Sequence, residues 1–227
     1  MSASETGATR PRVLIVYYTY TQQSKLVAEA MAEALRARGC EVRQAPIGFT
    51  DRRWSERFTR LPLKHAILDV VGMLPAQLRG ATGEIEIPED ARGGGYDLVC
   101  IGSPTWFFRQ SVPIRSYLES DEAKRVLDGT HFSAFVVCRR YWRQNLKSVR
   151  KVGTKLGGEW VDGTHFTFVG GQIRSFMALI SYFGAGENRE RYLGVKIPPT
   201  NIQPGQLEAA RAFAQELADA LLAPVVV

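Results

Sequence analysis

The sequence predicts an α/β protein built on a doubly wound, five-stranded parallel sheet. Three observations carry that expectation. Short apolar runs alternate with stretches of helical periodicity along most of the chain, the pattern of strands joined by helical crossovers. The runs near 13–19, 96–102 and 132–138 are almost wholly apolar or β-branched, as strands covered on both faces are. A polar-aromatic stretch follows each of these runs, where open parallel sheets bind their ligands.

The first strand is expected at about 12–18. Its helix runs from about Gln22 to Arg38, with Val27, Met31, Ala34 and Leu35 on one face and Gly39 as its stop. A second strand covers Glu41–Ala45. Residues 48–83 then break the alternation. Ile67, Val70, Val71 and Leu74 recur at helical spacing, fringed by Arg52, Arg53, Arg57, Arg60, Lys64 and Arg79. This is read as a helical insertion whose stripe packs on the main core as a lid. Its alternative is an element for peripheral membrane contact or for a homo-oligomer. Gly93-Gly94-Gly95 precede a strand, so they are no dinucleotide fingerprint.

The third strand is Tyr96–Gly102, followed by a loop, SPTWFFRQSVP, and a helix from Pro113 to Glu119. The fourth strand, Phe132–Cys138, leads through RRYWRQ into a basic helix at Asn145–Leu156. A fifth strand lies near Glu159–Val169. Residues 170–200 form an irregular extra segment, long enough to serve as a lid over a bound ligand, and a last helix opens at Pro204 with Leu207, Ala210, Leu217 and Leu221 on one face. Right-handed crossovers place these elements in a single domain, 12–222, behind a disordered tail at 1–11.

Composition narrows the function classes. Three cysteines, Cys40, Cys100 and Cys138, form no C-x-x-C pair and no zinc-ligand spacing, which suits a reducing compartment and no metal site. No secretory signal is visible, and no apolar run reaches the roughly 18 residues of a membrane span, so a cytoplasmic location is expected. The net charge of +6 calls for an anionic partner, cofactor or substrate. No nucleic-acid-binding motif accompanies it, so nucleic acid is set aside. His65, His131 and His165 are scattered and read as structural, and no Ser/His/Asp constellation can be placed.

Three strand ends carry the candidate site. The first is Thr19-Tyr20-Thr21-Gln22-Gln23-Ser24, dense in hydroxyls and amides at a helix start. Hydroxyls and backbone amides there make an anion site, favoured by the helix dipole; the plainer reading is that Thr21 or Ser24 caps the helix. The second is Pro104-Thr105-Trp106-Phe107-Phe108, whose aromatics suit a flat ring, with Trp106 the best stacking candidate and core packing the alternative. The third is Cys138-Arg139-Arg140-Tyr141, leading into a segment with seven basic residues and no acidic one between Arg139 and Lys155.

These stretches resemble the flavodoxin-like superfamily. Thr19, Thr21 and Ser24 fall in register with its phosphate loop, Ser/Thr-x-Thr-Gly-x-Ser/Thr, with Gln22 in the place of glycine. YDLVCIGSPTWFFRQSVPIRSYLE resembles the ring-binding segment of flavodoxin-like NAD(P)H:quinone oxidoreductases. The resemblance implies a strand order of 2-1-3-4-5 and FMN as cofactor, with phosphate at Thr19–Ser24, the ring at Pro104–Phe108 and a third side closed by Cys138–Tyr141. It implies hydride transfer from NAD(P)H to a quinone or another small conjugated acceptor, and a homo-oligomer. A basic chain fits such an enzyme better than an acidic electron shuttle. Two further readings are an electron-transfer flavodoxin for one pathway and a fold that has lost FMN and serves as a binding partner.

Overall fold

The computed structural model describes residues 10–58 and 61–223. The expected disordered tail lies outside these residues up to residue 9, as do Arg60 and the side chain of Arg57.

The chain opens with β1 (Arg12–Tyr17), whose side chains alternate between two cores. Val13, Ile15 and Tyr17 face one side, Leu14 and Val16 the other, and all five are buried. Then come α1 (Gln23–Ala37) and β2 (Glu41–Pro46). Gly39 ends α1 at φ +88°, a left-handed position that glycine takes freely.

The insertion is several short pieces: β3 (Gly48–Phe49), α2 (Arg52–Phe58), α3 (Ala66–Gly72), α4 (Leu74–Leu78) and β4 (Ile85–Glu86), with β3 and β4 paired antiparallel. Its apolar stripe is split. α3 buries no residue, and Ile67 and Val71 stay exposed, so the stripe does not pack down on the main core. Asp51 ties the segment together, accepting from Arg53 and from the Glu84 amide. Those hydrogen bonds, Arg53 foremost, hold its carboxyl down at about 2.

β5 (Leu98–Trp106) is longer than expected. Ser103–Trp106 is not a loop: it prolongs the strand and turns back through Phe107-Phe108 into β6 (Arg109–Gln110), with Trp106 paired to Arg109. Pro104 is tolerated because it lies near the strand end, where its carbonyl accepts from the Ser111 amide. α5 (Val112–Leu118) and an unforeseen α6 (Asp121–Leu127) precede β7 (His131–Cys138). α7 (Trp142–Lys155) starts three residues before the expected Asn145, and β8 (Glu159–Thr167) follows.

Residues 170–200 are not irregular throughout. They hold α8 (Gln172–Ala185) and a hairpin of β9 (Arg191–Tyr192) and β10 (Val195–Lys196). α9 (Pro204–Leu222) closes the chain against α1.

The main sheet runs β2-β1-β5-β7-β8, all parallel, which is order 2-1-3-4-5 among the long strands. One core lies between the sheet and α1 with α9; the other lies beneath α5, α6 and α7. Gly102 lets β5 lie close to β7: a Cβ there would strike the Phe135 ring. Winding changes direction between β1 and β5, so the carboxyl ends of β1, β5 and β7 border one crevice. Among the described residues no helix is long and apolar enough to cross a membrane.

Candidate functional site

That crevice holds a cavity of about 340 Å³. Fourteen of the fifteen residues singled out from the three strand ends line it: Thr19, Tyr20, Thr21, Gln23 and Ser24; Pro104 to Phe108; and Cys138 to Tyr141. Gln22 does not. It stands at the N-cap of α1 with φ +64°, in the left-handed region, its side chain exposed. This conformation costs an L-residue about 1–2 kcal/mol, a cost glycine would not bear.

The polar end of the cavity is built around α1. Its N-cap forms no side-chain cap, and its first turn carries no acidic residue, so capping does not explain the row of hydroxyls. Thr19 Oγ1 is buried without a hydrogen-bond partner. An orphaned hydroxyl beside a helix N-terminus is a donor set for an anion. Gln23 has a different task. It is buried, its Nε2 donates to Thr21 O at 3.1 Å, and its Oε1 accepts from the Ile202 amide at 2.7 Å. Its amide braces the loop against the segment before α9 and is not spare for a ligand.

The second wall is the β5–β6 turn. Phe107 has φ +61° in a two-residue hairpin loop, a place that usually takes glycine. Gln77 of α4 holds this turn, its Nε2 donating to Trp106 O at 2.9 Å and Gln110 O at 2.6 Å. Trp106 leans edge-on against Tyr18, at 5.7 Å between ring centroids, and against Phe49 at 6.1 Å. It therefore serves both the cavity and the core. Phe108 stands further out, edge-to-face with Tyr141 at 4.8 Å. Thr105 Oγ1 accepts from buried Asn145 of α7 at 2.9 Å, which fastens this wall to the next.

Cys138 to Tyr141 form the third wall. Burial pushes the Cys138 thiol up to about 11, so it stays protonated. Arg139 reaches α8: its Nη1 donates to Gln172 O at 3.1 Å and Ser175 Oγ at 3.3 Å, and its guanidinium lies over the Phe176 ring. Burial, and then the charge of Arg140, lower its pKa from the arginine value. Tyr141 starts α7 at φ +64°. Three of the four described non-glycine residues with positive φ thus sit on the cavity's three loops, where strain gathers at functional sites.

A roof completes the enclosure; its two segments were each expected as a lid, but none of these side chains was named as a site residue from sequence. Val70 and Met73 come from the insertion, Phe176, Leu179 and Phe183 from α8. Phe183 meets Tyr20 edge-on at 5.6 Å. Burial, and then Asp69, raise the pKa of the Tyr20 phenol, so it stays protonated. The signal for the α8 residues was present in FMALISYF, where Phe176, Leu179 and Phe183 recur at helical spacing.

No protein-family model and no curated protein matches the chain. Among solved structures it is similar to a flavoprotein in complex with FMN from Lactobacillus acidophilus, at 17% identity over 68% of this chain and 93% of that one, with a TM-score of 0.51. It is also similar to a flavodoxin from the domain Archaea, at 9% identity over 92% and 98% with a TM-score of 0.50. Oxidised flavodoxin 1 from Bacillus cereus aligns at 11% identity over 92% and 97%, TM-score 0.50. Likeness at such low identity speaks for the fold, and it agrees with the sheet order and the crevice found here: in fold, the chain is a flavodoxin-like protein.

Proposed function

We propose that the chain binds FMN in this cavity and acts as an oxidoreductase, taking reducing equivalents from NAD(P)H and passing them to a quinone or similar conjugated acceptor. One observation carries the reading. A single cavity joins an anion-type end, with the orphaned Thr19 hydroxyl at an uncapped helix start, to aromatic and aliphatic walls of the kind a flat ring needs. FMN has those two parts, and the solved structure of the Lactobacillus acidophilus flavoprotein holds it.

Thr19, Thr21 and Ser24, with the first amides of α1, would hold the phosphate. Phe107, Phe108 and Tyr141 would flank the ring, with Trp106 backing them. When bound, FMN supplies a carrier of hydride or single electrons. The chain's own residues supply place and field. Arg139 and Arg140 bring positive charge to one wall, which favours negative charge gained on reduction. Val70, Met73, Leu179 and Phe183 exclude water from above. No general acid or base is required of the protein for this chemistry.

The test is steady-state oxidation of NADH and NADPH by the FMN-loaded protein, with a quinone as acceptor. Turnover that needs FMN, nicotinamide and quinone together supports the reading. Retained FMN without turnover would leave an electron carrier, and no retained FMN would leave a site for another flat anion.

A further inference from the structure

The three most exposed large apolar side chains of the described residues lie on elements around the cavity. Leu68 on α3, Ile173 at the start of α8 and Leu193 at the β9–β10 tip are 71%, 75% and 82% exposed. Ile67, Val71 and Phe176, on α3 and α8, are also exposed. These elements are neighbours: α3 packs on α8, and α8 on β9. Ile173 lies one turn before Phe176, which lines the cavity and is itself exposed, so the apolar surface continues into the cavity's rim.

Leu193 carries the sharpest signal. It occupies the first place of a two-residue hairpin loop with φ +48°, followed by Gly194 at +77°. That turn ordinarily takes Asn-Gly. A leucine there is strained and meets water on nearly every side, so the folded chain alone gains nothing from it. Arg191 and Lys196 flank the tip and are both exposed.

Charge selects the occupant. Between residues 170 and 200 there are four cations, Arg174, Arg189, Arg191 and Lys196, against Glu187 and Glu190. Arg189 is paired with Glu187 at 3.5 Å, which leaves the tip itself basic. Arg109 and Arg140, beside the rim, are exposed too. Aliphatic points set among cations match an anionic lipid surface, where leucine and isoleucine enter the interface and Lys and Arg meet headgroups. We propose that this face docks peripherally on anionic bilayers, with the mouth of the cavity towards the lipid. The inference does not rest on FMN. Joined with the proposed function, it gives a lipid-soluble acceptor a path from the bilayer to the site.

The test is co-flotation of the full chain with phosphatidylcholine vesicles, with and without about one third phosphatidylglycerol. Expected is recovery with the anionic vesicles only, lowered by salt. The variant Leu68→Ser/Ile173→Ser/Leu193→Ser should lower that partition roughly tenfold or more, and Arg191→Gln/Lys196→Gln should weaken it and flatten its salt dependence. Unchanged thermal melting and circular dichroism check that the variants fold. Should the triple variant melt early, Leu193→Ser alone carries the test with a smaller shift. The proposal fails if the chain stays in the soluble fraction with anionic vesicles, or if the serine variants partition as the parent does. It also fails if sedimentation shows a dimer that those variants dissolve, since the patch would then belong to a second copy.

Discussion

The phosphate-type loop and the roof lie on opposite sides of one cavity and are made in opposite ways. The loop is local: six consecutive residues between a buried strand and its helix, braced by Gln23 and carrying one buried, partnerless hydroxyl. The roof is assembled from helices about a hundred residues apart, joined by aromatic and aliphatic contacts and by Gln77 to the β5–β6 turn. The loop is preorganised for charge and the roof for apolar surface. The two should therefore fail differently when altered.

The largest effect is expected from Thr19→Val. It removes a donor to a charged ligand, worth about 1.5–3 kcal/mol, so FMN affinity should fall roughly ten- to hundredfold. The apo protein should melt no lower, because a desolvated hydroxyl gives way to a methyl group of similar shape. Titration and thermal melting separate the two. Equal FMN affinity would remove Thr19 from the phosphate site.

Phe183→Ala acts on the other side. Full burial of phenylalanine is worth about 3–5 kcal/mol, and Phe183 is only half-buried, so a stability loss of about 2 kcal/mol is expected by denaturant unfolding. FMN and riboflavin, which lacks the phosphate, should weaken together, keeping their ratio. A changed ratio would mean that the roof reaches the phosphate end.

This division also governs what the sequence made legible. Thr19–Ser24 could be read because strand end, polar loop and helix start are contiguous, and parallel topology then brings three such ends together. α8 could not. Its boundary glycines, Gly171 and Gly186, suggested a loop, though they serve as its N-cap and its left-handed C-cap. Its apolar face is matched by α3 and by Tyr20, partners fixed by tertiary structure. Ser103–Trp106 was hidden for a related reason: a serine-proline start suggests a break, and the pairing with β6 that keeps it extended lies beyond the turn.

Smaller effects sharpen the picture. The Asp51 carboxyl sits at about 2, against about 3.9 in an unfolded chain. Its ionised form thus stabilises the fold above about pH 4, and that contribution fades as pH falls towards about 2. Asp51→Asn should melt below the parent at neutral pH, by about 1 kcal/mol, and the difference should narrow over that window. A pH-independent difference would rule out the carboxylate as its cause.

Smallest is Gln22→Gly. Releasing a left-handed glutamine gains about 1 kcal/mol of strain, partly offset by the greater freedom of glycine when unfolded. A stability gain of about 0.5 kcal/mol is expected, with FMN bound no more weakly. A clear loss would show that the Gln22 side chain has a role that its exposure conceals.

On the proposed function, one end of this cavity takes a phosphate and the rest a flat ring. Parallel titrations of the purified protein with FMN and with riboflavin test this most directly. Both should bind, and FMN at least about tenfold more tightly, the margin expected of charge-assisted hydrogen bonds. Equal affinities, or no binding of either, would contradict that function.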